Sequence, residues 1–296
     1  MDDHHTSYCT SCKWDERCER HPRLICMITK YDQEEGSLEA IRDYLIKHPR
    51  KVNEEKDGYT ALMISCDKPG KEYYQVAKLL IELGADLDQT DYEDYTALMF
   101  LCSNPNRYQY KLMKKVIPHS NINLLNDEGN SALSIACYFA KSDYAVKAVQ
   151  LLLENGANPN LGSIPPIARL VDDPFDLDKY RSECLELLLG HGANVNWKDR
   201  DNRTLLIMAV QRRIESDVRV SRLLIENGID INARDNSEKT VVAYILKHPM
   251  KDELLTLLLE HGLNADRPYH GQGQTLRQYV TEWRRNYNKY YRMINE

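Results

Sequence analysis

The residues with the clearest capacity for chemistry lie near the N-terminus, where cysteine and histidine recur at close intervals. Cys9, Cys12, Cys18 and His21 have the spacing C-x2-C-x5-C-x2-H. Each x2 turn can bring two ligands to one ion, and four thiolate or imidazole ligands are typical of structural zinc. The spacing therefore predicts a zinc site at these four residues. Because the five-residue spacer is short, free thiols in an N-terminal tail are the alternative interpretation.

Motifs of enzyme active sites are absent from the rest of the sequence. It contains no phosphate-binding G-x-x-x-x-G-K-S/T or G-x-G-x-x-G loop, no H-E-x-x-H zinc motif and no G-x-S-x-G nucleophile elbow. We therefore expect a protein that is not an enzyme, has no catalytic residues and needs no cofactor beyond the possible N-terminal zinc.

Net charge limits the class of partner. The 296 residues carry a formal charge of −6, which disfavours nucleic acid as a partner because such binding needs a basic face. The charge is polarised: residues 51–100 carry −6, whereas residues 197–222 carry +3 and residues 267–296 carry +4. This gradient indicates either an ordinary solvated surface or a dipolar groove that orients a partner.

A recurring helix stop indicates what positions these residues. Leu151-Leu152-Leu153-Glu154-Asn155-Gly156-Ala157-Asn158-Pro159-Asn160 has the pattern of an apolar helix ended by glycine and followed by an extended segment. The same pattern recurs around Gly84, Gly192, Gly228 and Gly262, at intervals of 34 or 36 residues or twice 36. A register held over most of the chain predicts a repeat protein.

A second recurring phrase marks the start of each repeat's first helix. Asp57-Gly58-Tyr59-Thr60-Ala61-Leu62-Met63 has counterparts whose helix-capping residues are Thr96, Ser131, Thr204 and Thr240. Cysteine follows the cap by six residues in three repeats and takes a second-helix position in another, which predicts buried core residues at Cys66, Cys102, Cys137 and Cys184.

Turn, two helices, glycine stop and extended finger together resemble the ankyrin repeat. The resemblance implies an all-α solenoid of about seven helix-turn-helix repeats, with β-turn fingers and a C-terminal capping helix. The Thr-Pro-Leu-His tetrapeptide of the family never appears intact, and the Thr-Ala-Leu-Met variants loosely resemble the ankyrin repeat proteins of large DNA viruses. We divide the chain into a Cys/His-rich tail (1–22), repeats (23–268) and a capping repeat (269–296). The fifth repeat, opened by Pro165-Pro166, is the most irregular.

In the ankyrin family the partner is usually bound by finger tips and the exposed ends of the first helices, on the concave side. Tyr, Trp and Arg dominate binding energy at interfaces. Matched by position, the candidate partner-binding residues are Tyr59, Tyr92, Tyr95, Tyr138, Trp197, Arg200, Arg203 and Arg212.

We therefore predict a non-enzymatic interaction module, an adaptor or scaffold, that binds a protein partner through its concave face. The alternative is a target-selecting module whose zinc-bound N-terminus supplies a ubiquitin-ligase-like or nucleic-acid-binding activity. The polar start and the short apolar runs predict neither a secretory signal nor a membrane span. We expect a monomer in the cytoplasm or nucleus, or in the host cell cytoplasm if the protein is viral.

Overall fold

Two compact helical units make up the chain. The computed structural model describes residues 23–29, 38–172, 179–211, 217–247, 250–282 and 288–295. The units are Met1–Ser163 and Ile164–Glu296. Their boundary falls between Ser163 and Ile164, just before the Pro165-Pro166 that opens the repeat with the most irregular sequence.

The first unit contains four helix pairs, each made of a first and a second helix. The helices are α1 (Arg23–Thr29), α2 (Leu38–Lys47), α3 (Ala61–Asp67), α4 (Lys71–Glu82), α5 (Ala97–Ser103), α6 (Arg107–Val116), α7 (Ala132–Tyr138) and α8 (Asp143–Glu154). Short 3-10 turns follow α2 (Pro49–Asn53) and α6 (Ile117–His119). First helices pack on first helices (α1, α3, α5, α7) and second helices on second helices (α2, α4, α6, α8), which is the stacking that the repeat predicts.

The second unit repeats this plan. Its helices are α9 (Pro166–Asp172), α10 (Lys179–Gly190), α11 (Leu205–Gln211), α12 (Asp217–Glu226), α13 (Val241–Ile245), α14 (Lys251–Glu260), α15 (Leu276–Glu282) and α16 (Asn288–Asn295). The sequence predicted a C-terminal capping helix, and the described residues of that region are helical, in α15 and α16. The Tyr290 hydroxyl on α16 donates to the Asp252 carbonyl on α14 at 2.8 Å, so the final helix packs against the seventh repeat.

The predicted helix caps form in four of the five aligned repeats. The hydroxyls of Thr60, Thr96, Ser131 and Thr204 each accept from the backbone N–H three residues on, at 3.2 to 3.3 Å. Each bond satisfies one of the donors left open at a helix start. Thr240 holds the same position without a side-chain cap bond.

The glycine stops take the left-handed conformation that the pattern predicted. The φ angles of Gly84, Gly156, Gly192, Gly228 and Gly262 lie between +84° and +88°. After each of them the next N–H returns to a carbonyl five residues earlier, which closes the helix C-terminus. The third repeat lacks the glycine, and its second helix runs instead into the 3-10 turn Ile117–His119.

Finger hairpins connect successive repeats and are tied to one another by asparagine side chains. In the first finger, strand β1 (Glu55–Lys56) pairs antiparallel with β2 (Tyr59–Thr60). Farther along, Asn123 Oδ1 accepts from the Asn158 N–H at 2.8 Å, and its Nδ2 donates to the Gly156 carbonyl at 3.2 Å. Asn196 makes the same two contacts with the next repeat of the second unit. The Asn of the extended segment therefore has a structural role.

The four repeat cysteines lie in the core, as predicted. Cys66, Cys102, Cys137 and Cys184 are fully buried. Burial raises the pKa of the Cys66 and Cys102 thiols far above the ordinary value, because a thiolate would lose its hydration. Both therefore stay neutral and pack as small apolar groups.

Candidate protein-binding surface

The finger tips and first helices form a surface, here called the finger face, which carries predicted binding residues in each unit. Its finger turns share a short polar side chain five residues before the cap: Asp91, Asn126, Asp199 and Asp235. Each Oδ1 accepts from the backbone N–H four residues on, at 2.7 to 3.0 Å. This role was not predicted from the sequence, although the regular Asp or Asn at that position was a usable signal.

The turn places the residue before the cap on the finger face. The preceding residue has a positive φ in five repeats: Gly58, Asp94, Gly129, Asn202 and Glu238. The residues that follow them are Tyr59, Tyr95, Asn130, Arg203 and Lys239. Tyr59, Tyr95, Arg203 and Lys239 are half-buried and Asn130 is buried. Local backbone geometry therefore sets the direction of these side chains before any partner is present.

Three aromatic rings meet on the finger face of the first unit. Phe100 on α5 lies with its ring centroid 6.0 Å from that of Tyr59 and 5.6 Å from that of Tyr95. These distances suit edge-to-face or offset contact between rings. We call Tyr59, Tyr95 and Phe100 the aromatic cluster. Sequence reasoning found the two tyrosines but missed Phe100, which stands four residues after the cap Thr96.

Carboxylates surround the aromatic cluster. Burial raises the pKa of the Tyr59 and Tyr95 hydroxyls, and the negative charges of Asp91 and Glu93 raise both further. Burial also raises the pKa of Asp91 itself, as do the neighbouring carboxylates of Asp127 and Asp94, against the lowering effect of its backbone hydrogen bonds. The finger face of the first unit is therefore aromatic at its centre and negative around it.

The first unit has two other predicted tyrosines, Tyr92 beside the aromatic cluster and Tyr138 at the end of α7. Tyr92 is 79% exposed at the tip of its finger, and its ring covers Gly58, where an added Cβ would come within 3.0 Å of it. Tyr138, at the end of α7, makes an edge-to-face contact with Phe139, with centroids 5.0 Å apart.

On the second unit, Arg203 is held by its own finger. Its Nε and Nη2 both lie 2.6 Å from Asp199 Oδ2, and its Nη1 donates to Gln211 Oε1 at 3.1 Å. The hydrogen bond to Asp199 raises the pKa of Arg203, although partial burial opposes it. Since these contacts occupy much of the guanidinium, Arg203 contributes to the finger as well as to the surface.

The remaining predicted residues have mixed positions. Trp197 is half-buried, and its backbone N–H donates to the Asn194 carbonyl at 3.2 Å. Arg200 is exposed. Arg212 lies outside the described residues, as do the four zinc-ligand candidates Cys9, Cys12, Cys18 and His21.

A groove of about 400 Å³ opens on the finger face of the second unit. Its lining residues come from the end of α11, from α13 and the turn after it, and from the last two fingers: Val210, Gln211, Lys239, Ala243, Tyr244, Lys247, Tyr269 and His270. We call it the basic groove, because its charged lining residues are the two lysines. The Tyr244 hydroxyl donates to Asp235 Oδ2 at its edge.

The contact between Tyr244 and Asp235 changes the titration of both groups. Burial and the hydrogen bond to the Asp235 carboxylate raise the pKa of Tyr244 to about 12. Burial alone would raise the pKa of Asp235, but the Tyr244 hydroxyl, two backbone N–H groups and the Lys239 charge outweigh it, so the pKa lies below its usual value. Asp235 is therefore a buried carboxylate whose charge is stabilised by hydrogen bonds from the protein itself.

Two other kinds of site are absent from the described part of the chain. There, no group of three or more His, Cys, Asp and Glu side chains is placed to hold a metal ion. Nor does any helix in that part combine the length and apolar character needed to cross a bilayer.

Stacked helix pairs with glycine stops and finger hairpins define a helical repeat protein of the interaction-module class. Comparison with known protein families identifies the family of the repeats. A family model described as ankyrin repeats (3 copies) matches residues 74–163 and 178–270, more than half of the chain. The chain belongs to the ankyrin repeat family.

The resemblance to proteins of a large DNA virus is also confirmed. Two ankyrin repeat proteins of Acanthamoeba polyphaga mimivirus are 28% identical to the chain, over 136 and 163 residues, or 42% and 52% of its length. The human transient receptor potential cation channel subfamily A member 1 is 25% identical over 215 residues, or 68% of the chain. The matched region spans only 18% to 21% of these relatives.

Solved structures show the same fold. The ankyrin repeat domain of Bcl-3, described as a unique member of the IkappaB protein family, matches with a TM-score of 0.60 and 22% identity, over 76% of this chain and 94% of that one. The human ASB11 ankyrin repeat domain matches with a TM-score of 0.57 and 21% identity, over 74% and 91%. The all-α ankyrin fold predicted from the sequence is confirmed.

Proposed function

We propose that this protein is a non-enzymatic adaptor or scaffold that binds a protein partner through its finger face. Ankyrin repeats are protein–protein interaction modules. The observation that carries the proposal for this chain is the aromatic cluster of Tyr59, Tyr95 and Phe100.

The stacking of repeats does not account for the aromatic cluster. Ile64 and Ile135 occupy the position of Phe100 in the neighbouring repeats and are buried, whereas Phe100 is half-buried. Aromatic side chains that stay partly exposed are typical anchors of protein interfaces, because they bury large areas at small entropic cost. Tyr92, exposed on the adjacent finger tip, enlarges the same surface.

The charge around the cluster indicates the chemistry of the partner. A lysine or arginine side chain is attracted to the face of a tyrosine or phenylalanine ring, and neighbouring carboxylates strengthen the attraction. Asp67, Asp91, Glu93 and Glu128 supply these carboxylates. We therefore expect the partner to present basic side chains to the first unit.

Affinity capture followed by titration tests the proposal. A partner recovered by pull-down and identified by mass spectrometry is titrated against the wild-type protein and the Tyr95→Ala variant. Loss of a desolvated aromatic anchor typically costs about 2 kcal/mol, so we expect roughly thirtyfold weaker binding.

Tyr110→Ala is the matched control for this experiment. Tyr110 is also half-buried, and its ring lies 6.1 Å from that of Tyr144, but both tyrosines stand on second helices, away from the finger face. Equal loss of affinity in both variants, or in neither, would place the interface elsewhere. The same titration tests alanine variants of the other candidate residues: Tyr59, Tyr92, Tyr138, Trp197, Arg200 and Arg212. Arg203→Ala needs a melting curve beside it, because it also removes the bonds to Asp199.

A second candidate function depends on the C-x2-C-x5-C-x2-H spacing of the N-terminal tail. In this proposal Cys9, Cys12, Cys18 and His21 bind one zinc ion, and the tail adds a ubiquitin-ligase-like or nucleic-acid-binding activity to the target chosen by the repeats. Elemental analysis of freshly purified protein should find about one zinc per chain, lost in the Cys12→Ser variant. Protein without bound metal would exclude the zinc-dependent form.

We also propose that the protein acts in the cytoplasm or nucleus, or in the host cell cytoplasm if it is viral. Fluorescence microscopy of a tagged chain tests this. Signal confined to another compartment would contradict it.

A further inference from the structure

The basic groove of the second unit joins an apolar floor to a cationic rim. Val210 and Ala243 contribute apolar surface, and the rings of Tyr244 and Tyr269 form its walls. Both tyrosine hydroxyls are bonded within the protein, Tyr244 to Asp235 and Tyr269 to Gln274 Oε1 at 3.0 Å. The walls therefore have defined positions before any ligand enters.

Lysine provides the charge of the groove. The ammonium of Lys239 lies 5.7 Å from the centroid of the Tyr244 ring, and Lys247 lines the same groove. His270 adds ring nitrogens that can bond an oxygen ligand. The nearby Asp235 carboxylate already accepts from Tyr244 and from the backbone N–H groups of Ser237 and Lys239. Arg203 adds positive charge close to Tyr244.

The volume limits what the groove can hold. About 400 Å³ is near the lower end of the range for ligand pockets and accommodates one or two side chains rather than a folded domain. The apolar floor suits the methylene groups of a glutamate, and the lysines suit its carboxylate. Because the groove holds only one or two side chains, whereas nucleic-acid binding needs an extended basic face, we favour a peptide over a nucleic acid as the occupant.

We propose that the basic groove receives an acidic segment of a protein partner, with carboxylate side chains directed to Lys239 and Lys247. This inference rests on the proposed function, since the segment belongs to the protein partner, but it assigns a separate site with the opposite charge preference from the aromatic cluster. A partner would then be held by basic side chains at the first unit and acidic ones at the second.

A peptide probe tests the groove without knowledge of the partner. Fluorescein-labelled hexaglutamate is titrated against the full chain, and binding is followed by fluorescence anisotropy at low and at moderate salt. The Lys239→Met/Lys247→Met double variant keeps most of the aliphatic length of both side chains but removes their charge. We expect it to bind about fivefold to tenfold more weakly, the loss of two exposed charge contacts, and we expect salt to weaken wild-type binding.

Arg222→Met is the matched control, because Arg222 is exposed on the second helix α12 and its loss removes one positive charge elsewhere on the unit. Unchanged melting temperatures establish that all variants fold. Equal affinity of the wild-type and double-variant proteins would overturn the proposal, as would an equal loss in Arg222→Met.

Two further probes separate the acidic peptide from other anions. Preference for a serine phosphopeptide of the same length, or for a single-stranded thymidine oligonucleotide of equal charge, would overturn the assignment of carboxylates as ligands. The Tyr95→Ala variant should bind hexaglutamate as the wild type does. If the groove binds the peptide but Tyr95→Ala leaves partner affinity unchanged, the proposed aromatic interface is wrong and the groove assignment stands. If Tyr95→Ala weakens partner binding but the groove does not bind the peptide, the groove assignment is wrong and the aromatic interface stands.

Discussion

Phe100 and Tyr244 occupy the same position in their repeats, four residues after the cap, but their surroundings are opposite. Phe100 lies between Tyr59 and Tyr95, and the carboxylates of Asp91 and Glu93 lie close to both tyrosines. Tyr244 lies beside Lys239 and donates its hydroxyl to Asp235. One backbone position thus supports an aromatic, acidic surface in the first unit and a basic groove in the second.

The comparison shows how a repeat fold separates stability from recognition. Caps, glycine stops and apolar contacts are alike in the two units, because each repeat must bury the same faces against its neighbours. The residue before the cap and the residue four after it are only half-buried at these sites, so they vary without loss of the stack. The following predictions test how far this separation holds, from the largest expected effect to the smallest.

Truncation of a core side chain should lower the free energy of unfolding by a similar amount in both units. Leu98 on α5 and Leu206 on α11 hold equivalent positions, two residues after the cap, and both are buried. We expect Leu98→Ala and Leu206→Ala each to lower the free energy of unfolding by about 2–5 kcal/mol in urea titrations followed by circular dichroism. A loss below about 1 kcal/mol in one of them would show that the two cores are not equivalent.

Neutralising the finger carboxylate should lower the free energy of unfolding more in the second unit than in the first. In Asp235→Asn the Tyr244 hydroxyl loses a charged acceptor, so we expect a loss of about 1.5–3 kcal/mol in the free energy of unfolding. Asp91→Asn should change it by less than about 0.5 kcal/mol, because an amide oxygen can still accept both backbone bonds. Asn126 fills this position naturally in the next repeat. Equal losses in the two variants would refute the electrostatic distinction.

Acid should affect the two fingers in opposite directions. The pKa of Asp235 is lowered by folding, so the stability it contributes is complete above the unfolded value of about 3.9 and is lost as the pH falls through the lower folded value. The pKa of Asp91 is raised, so its contribution is most favourable below about 3.9 and is lost as the pH rises through the folded value.

Chemical denaturation at several pH values between about 6 and 3 measures this difference. The stability gap between the wild type and Asp235→Asn should narrow toward the acid end. Under the same conditions, Asp91→Asn should lose stability relative to the wild type. Parallel curves for both variants would contradict the assigned pKa directions.

Substitutions at the positive-φ position of the finger turn should show that the backbone is strained there in the second unit, where the residue is Glu238 and not glycine. Gly129 has φ +76°, and an added Cβ would lie 3.2 Å from Ser163 Oγ, so Gly129→Ala should cost about 1–2 kcal/mol. Glu238 has φ +55° at the equivalent place, and Glu238→Gly should gain up to about 1 kcal/mol. Thermal melts of both variants test the pair, and a destabilised Glu238→Gly would show that its side chain contributes more than its backbone strain costs.

Metal removal should have the smallest effect on either unit. The described residues of both units are held by apolar burial, caps and finger hydrogen bonds, and we expect a strong chelator to leave helical circular dichroism and melting temperature unchanged. A collapse of helicity on chelation would show that the tail supports the repeats. Zinc binding would then be required for folding.

Much of the fold was readable from the sequence. Cap residues such as Thr60 and stops such as Gly156 act within a few residues of themselves, so their types and spacing determine where helices begin and end. The same register identified the buried cysteines at Cys66 and Cys102. The predicted C-terminal capping region is likewise helical in its described residues, in α15 and α16.

The site was only partly predictable, for a physical reason. The sequence by itself determined which side chains leave the stack, because the turn before each cap is local; it thereby identified Tyr59, Tyr95 and Arg203. Which of them meet was decided by contacts about one repeat apart, such as the ring contact of Tyr59 with Phe100 and the β-bridge between Lys239 and His270. Those contacts depend on how one repeat packs on the next, and neither composition nor spacing encodes that packing directly.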